Sequence, residues 1–149
     1  MFRSWKIWAI VIAVFIVGQC DPLGAVYWRL AEWKLPQMKV ESLSKPSPFE
    51  NIPRDKWIGE SEYAFAVNDI KPKAPVHFLV IPKKRYANIL ETQPEVVSDM
   101  MQLGLKLAAD RGISERGFRI VINTNPQGAQ TVYHTHMHFI GGRQMGGMG

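Results

Sequence analysis

The sequence predicts an α+β fold: an antiparallel β-sheet with one main helix packed against it, preceded by an N-terminal hydrophobic helix. Three observations carry that expectation. The segment Pro75–Pro82 (PVHFLVIP) is bracketed by prolines and rich in Val, Ile and Phe, as a strand should be. A single long run after Thr92 repeats apolar residues at helical spacing. Behind it, Phe118–Thr124 and Thr131–Ile140 alternate as strands do. Strands on both sides of one helix favour an antiparallel sheet over a repeated strand–helix–strand winding. The 149 residues, 46% hydrophobic and 21% charged, are enough for one ordinary core and exclude a disordered chain. One cysteine excludes an internal disulfide or a Cys-rich zinc cluster.

Taken in chain order, residues 1–20 come first. Arg3 and Lys6 precede fourteen uncharged residues, Ile7 to Cys20. A basic start followed by a short apolar run reads as a signal anchor, or as a signal or lipoprotein-like segment ending at Val17-Gly18-Gln19-Cys20. As a helix the run would span ~21 Å, short of the ~30 Å hydrocarbon core. The expectation is membrane association through the N-terminus, by a single-pass anchor or a lipidated cysteine, with the side of the membrane left open. Residues 21–48 read as a connector, with a short aromatic-rich helix over Ala25–Leu35 and a Ser/Pro linker over Ser42–Pro48. Residues 49–149 then form the body of the domain.

In that body Tyr63–Val67 suits a strand, and Asn68–Pro72 a turn leading to Pro75–Pro82. Thr92 followed by Glu95 three residues later reads as a capping box, with Pro94 tolerated in the first turn. Val96, Val97, Met100, Met101, Leu103, Leu105, Leu107 and Ala108 give the helix a broad apolar face, and Arg111-Gly112 ends it. Asn125–Gly128 reads as a turn before the last strand. The net charge of +5 divides unevenly: residues 1–40 hold five cations and two anions, so residues 41–149 are nearly balanced. That balance argues against a nucleic-acid-binding face.

The histidines are the informative feature. His134, His136 and His138 alternate, which on a strand lines three imidazoles along one face. The fourth, His77, lies in the strand Pro75–Pro82 before the helix. A zinc site is one reading, but His134 and His138 would stand ~13 Å apart on an extended strand, far for bonds of ~2 Å. Phosphorus chemistry is the other. A neutral imidazole is a competent nucleophile near pH 7. The turn before the triad adds donors from the backbone of Gly128, Ala129 and Gln130 and from the side chains of Gln130 and Thr131.

His134-Thr135-His136-Met137-His138-Phe139-Ile140 resembles the signature of the histidine triad family. Asn68 to Lys84 is similar to that family's nucleoside-binding strand–turn–strand, and Phe118–Asn123 with Gly128–Tyr133 to its phosphate loop. Gly141-Gly142-Arg143-Gln144-Met145 resembles the nucleoside phosphoramidase branch rather than the dinucleoside polyphosphate hydrolases. The resemblance implies that His136 attacks the α-phosphorus of a purine nucleotide and forms a nucleotidyl-histidine intermediate. His138 and Thr131 would sit near phosphate and leaving group, and His134 and His77 would support the nucleophile. Asp69 would bind the ribose, Ile70 the base, and Asn123 with the Ala129 backbone the phosphate. It further implies a homodimer and chemistry that needs no cofactor and no metal.

Four departures stand out. Ala129 replaces a customary Gly, Asn68 a customary His, the C-terminal Trp-Pro-Pro tail is missing, and the usual N-terminal helix is altered around Phe49–Trp57. The expected function is therefore hydrolysis of nucleoside 5′-phosphoramidates. The alternative, from another class, is a membrane-tethered nucleotide-binding or scaffold module without essential catalysis. A dinucleoside polyphosphate hydrolase and a His-metal site stand behind both.

Overall fold

The computed structural model describes residues 22–147. The expected anchor over residues 1–20 lies outside them, and among the described residues no helix is long and apolar enough to cross a membrane. The first element is helix α1, Pro22–Ser44. It is about twice the length of the helix expected over Ala25–Leu35 and runs through Pro36, which supplies no backbone N–H. It stops before Pro46 and Pro48, so only the last part of the expected linker is irregular.

Five strands form one sheet: β1 (Trp57–Glu60), β2 (Ala64–Asn68), β3 (Val76–Pro82), β4 (Phe118–Val121) and β5 (Met137–Gly141). Their spatial order is β1-β2-β3-β5-β4, every neighbouring pair antiparallel. Helix α2, Pro94–Asp110, packs on one face. The expected α+β arrangement of an open antiparallel sheet with one packed helix is therefore present.

Alternation along the strands assigns the faces. Ala64, Ala66, Phe78, Val80, Met137 and Phe139 meet Met100, Leu103 and Leu107 of α2 in the main core. Phe65, Val67, Leu79 and Ile81 point the other way, beneath Phe49, Ile52 and Trp57, with the Trp57 ring stacked 4.2 Å from Phe65. The register pairs His77 with Ile140 and Leu79 with His138, so His77 and His138 are diagonal neighbours on this second face.

Several boundaries differ from the sequence reading, each for a physical reason. Strand β1 was not expected, because Trp-Ile-Gly-Glu is short and interrupted by Gly59, where its ladder with β2 shifts register. The Thr92 capping box does not form. The cap position is Gln93 with no side-chain cap, and the Thr92 hydroxyl instead bonds the Asn88 carbonyl at 2.9 Å and Thr135 Oγ1 at 2.9 Å. At the other end, Gly112 (φ 68°) closes α2 as expected, with Gly112 and Ile113 N–H donating to Ala109 and Ala108 carbonyls. The expected strand Phe118–Thr124 ends at Val121, and Thr131–Ile140 is strand only from Met137 to Gly141.

Helix and sheet approach closely at Gly104. A Cβ placed there would sit 2.0 Å from the Phe139 ring, which is itself stacked at 5.0 Å on Phe78. Neither ring can retreat in a filled core. Gly104→Val should therefore lower stability by about 3 kcal/mol, despite better helix propensity. Urea unfolding monitored by circular dichroism measures this; an unchanged midpoint would show that the helix stands further off the sheet.

The four-histidine candidate active site

The β3–β5 pairing supplies the platform. His138 lies on β5, whereas His134 and His136 precede the strand, so the triad does not occupy one strand face as the sequence suggested. The backbone departs there because Thr135 N–H donates to the Tyr86 carbonyl at 2.8 Å, a partner outside the sheet. All four histidines nevertheless converge. His77 and His138 rings lie 5.2 Å apart, and His136 and His138 rings 5.0 Å apart. Phe49 sets its ring edge-on to both His134 and His136, at 5.6 and 5.2 Å.

Burial lowers the pKa of every imidazole below the ordinary 6.5. For His138, burial and then the neighbouring His136 and His77 bring it to about 4. The rings are therefore neutral near pH 7, each with one N–H and one lone pair. Their hydrogen-bond partners then decide which nitrogen holds the proton.

His136 Nδ1 lies 2.7 Å from the His134 carbonyl, which only accepts, so Nδ1 carries the proton and Nε2 the lone pair. No described residue bonds that Nε2. His134 Nε2 faces the Pro82 carbonyl at 2.9 Å and is the protonated nitrogen, leaving Nδ1 to accept from Ser47 Oγ at 2.9 Å. Lys73 N–H donates to His77 Nδ1 at 3.1 Å, so His77 bears its hydrogen on Nε2. That hydrogen points to His138 Nδ1, 3.0 Å away. His138 is consequently protonated on Nε2. One ring thus presents a free lone pair and its neighbour a free N–H, the pairing that nucleophilic displacement with a departing group requires.

Asp69, His77 and His138 bring three ligand-type atoms within 4.8 Å of one another. The donor set does not suit a metal in this arrangement. The single lone pair of neutral His77 already accepts from Lys73, so its Nε2 faces Asp69 and His138 as a donor.

The other expected residues are placed less uniformly. Asp69 Oδ1 accepts from Lys71 N–H at 2.7 Å, while Oδ2 lies 3.4 Å from His77 Nε2 and 3.8 Å from His138 Nδ1. The carboxylate assigned to ribose thus also faces the imidazole pair. Ile70 is 93% exposed, open to a ligand. Asn123 is half-buried beyond β4, and Thr131 is exposed. Several donors expected from the loop are instead spent within it. Ala129 and Gln130 N–H bond the Pro126 and Asn125 carbonyls. The buried Gln130 amide accepts from Asn125 N–H at 2.8 Å and donates to the Ala87 and Val132 carbonyls.

Those bonds hold a strained turn. Ala129 is left-handed (φ 56°, ψ 31°), which accounts for the glycine usual there. Asn125 (φ 60°, ψ 179°) occupies a region almost confined to glycine. Gln130 and Asn88, whose Nδ2 donates to Asn125 Oδ1 at 3.1 Å, fix it.

Sequence reasoning missed three supports. Ser47 and Phe49 lay in a stretch read as linker or altered helix. Arg85 donates from its guanidinium to the carbonyls of Tyr133, Lys45 and Ser42, and Tyr133 N–H donates to Ser42 Oγ. The end of α1 is thereby clamped to the residue before the triad. Nothing in a lone Ser or Arg signals this; only the tertiary path does.

The sequence and fold are similar to those of known proteins. The HIT domain family matches residues 51–145. An uncharacterized HIT-like protein of Synechococcus elongatus is 44% identical over 97 residues, covering 63% of this chain and 83% of its own. A purine nucleoside phosphoramidase of Escherichia coli is 38% identical over 100 residues, covering 65% and 83%. Among solved structures, a HIT family hydrolase from Legionella pneumophila superposes with a TM-score of 0.58 at 37% identity, covering 73% of this chain and 93% of that one.

The histidine environment sets a pH dependence. The folded state keeps these imidazoles neutral, whereas the unfolded chain protonates them below about pH 6.5. Protonation therefore favours the unfolded state as pH falls. Stability should be level between pH 7 and 8 and decline from about 6.5 toward 4, the value at His138. Urea midpoints across that range test the sign; a rise on acidification would overturn the neutral assignment.

Proposed function

The chain belongs to the HIT domain family, and from that membership and the site geometry we propose that it hydrolyses purine nucleoside 5′-phosphoramidates. The observation that carries the reading is the tautomer pattern: a lone pair on His136 Nε2 beside an N–H on His138 Nε2. His136 Nε2 attacks the α-phosphorus and the P–N bond breaks. The leaving nitrogen takes up a proton, with His138 Nε2–H as donor. Water then cleaves the nucleotidyl-histidine to release the nucleoside monophosphate. Thr131 and Asn123 face the phosphate in this reading, while Asp69 and Ile70 take ribose and base. The named phosphoramidase relative supports this leaving-group class over a second nucleotide.

The functional unit in this proposal is a homodimer tethered to a membrane through residues 1–20. Among the described residues β4 lies at the sheet edge with one side of its backbone unpaired, and Leu105 of α2 is 46% exposed, both suited to a second copy. Ile7–Cys20 carries no charge and suits insertion. The scaffold alternative keeps nucleotide binding but assigns no role to His136.

His136→Ala should lower kcat for adenosine 5′-phosphoramidate by ~10³-fold or more, with AMP still bound. His138→Gln should lose about 10²-fold. Alkaline denaturation during turnover, which preserves a phosphorus–imidazole bond, should trap one nucleoside monophosphate on the unsubstituted protein and none on His136→Ala. Undiminished turnover in His136→Ala would overturn the mechanism. Faster cleavage of a diadenosine polyphosphate than of the phosphoramidate would reassign the substrate.

A further inference from the structure

We propose that Ser47, in the segment between α1 and β1, is a positioning residue that holds the His134 ring in the tautomer assigned by the Pro82 carbonyl, and through it the aim of His136. Its role in turnover rests on the reading of His136 as nucleophile. Ser47 and His134 are each 1% exposed, so water does not supply either of them a partner. The Pro82 carbonyl fixes the proton of His134 on Nε2. The remaining lone pair, on Nδ1, is buried and needs a donor. Ser47 Oγ, at 2.9 Å, is the donor it meets. The hydroxyl is itself oriented, since Phe49 N–H donates to Ser47 Oγ at 3.3 Å and leaves the Ser47 hydrogen directed at His134.

Two lines of force then reach the nucleophile. His134, fixed as a ring and as a backbone unit, offers its carbonyl to His136 Nδ1 at 2.7 Å. Phe49, whose backbone is held by the same serine, bears edge-on against His134 and His136. Without the hydroxyl, His134 Nδ1 is left as an unpaired buried acceptor. The alternative tautomer satisfies neither end, because it turns a lone pair onto the Pro82 carbonyl. Relief requires the ring to rotate or the 134–136 backbone to shift, and a shift of that size at a nucleophile is costly to rate.

The test reads both structure and turnover in the full chain. The protein has four histidines, all in this site, so the ¹⁵N imidazole spectrum is assignable. In the unsubstituted protein His134 should be protonated on Nε2 with Nδ1 shifted as a hydrogen-bonded acceptor. Ser47→Ala should change the His134 signature, lower kcat for the phosphoramidate about tenfold or more, and leave KM within ~3-fold. Ser47→Thr, which keeps the hydroxyl, should restore both. A native His134 protonated on Nδ1 overturns the proposal outright, and needs no variant that folds. An unaltered His134 spectrum in Ser47→Ala, with turnover still lost in His136→Ala, also overturns it while sustaining the catalytic reading. An altered spectrum alongside undiminished turnover in His136→Ala would overturn the catalytic reading, and with it the role of Ser47 in rate.

Discussion

The pairing of β3 with β5 is the constraint on which the site depends. Its register, from Val76 opposite Gly141 to Val80 opposite Met137, makes His77 and His138 diagonal neighbours on the sheet face away from α2. Where the ladder stops, β3 runs on to Pro82 while the facing chain turns off at His136. His134 reaches back across that gap to the Pro82 carbonyl. A one-residue slip of β5 along β3 would turn His138 into the core packed by α2 and bring Phe139 out, parting His138 from His77. The stacked pair Phe78–Phe139, locked beneath Gly104, is thus what keeps the histidines on their own side.

Much of this was legible in the sequence because it rests on local chemistry. Pro75–Pro82 and the helix after Thr92 announce themselves through branching and periodicity, and the four histidines converge as their placement on two segments suggested. What failed was governed by partners far along the chain. Thr131–Ile140 alternates like a strand throughout, yet Thr135 N–H finds Tyr86 and the regular ladder begins only at Met137. Thr92 has the sequence context of a cap, but Thr135 claims its hydroxyl. The loop after β4 is rich in donors, as read, but it consumes most of them to hold Asn125 and Ala129 at positive φ.

The same distinction separates the two halves of the chemistry. Charge complementarity to a phosphate would be visible as a cluster of cations, and the catalytic body has almost no excess charge. The site relies instead on neutral rings whose single protons are assigned by neighbours. Burial keeps the rings neutral, and neutrality is what gives each partner its deciding effect. A more exposed triad would be partly cationic near its pKa, and its tautomers would no longer be fixed by the partners described.

Three of the groups that assign those protons are main-chain atoms: the Lys73 N–H and the carbonyls of Pro82 and His134. The two carbonyls survive any substitution, and the N–H is lost only to proline at position 73. Drift at the corresponding side chains leaves the proton pattern intact as long as the chain keeps its path, so the chemistry is inherited with the trace of the backbone. Ser47 is the exception, the one hydrogen-bond partner of the His134 and His136 rings that a single substitution removes. Lineages of this domain should therefore diverge freely in what surrounds the rings while remaining narrow in the course of β3 and of the approach to β5.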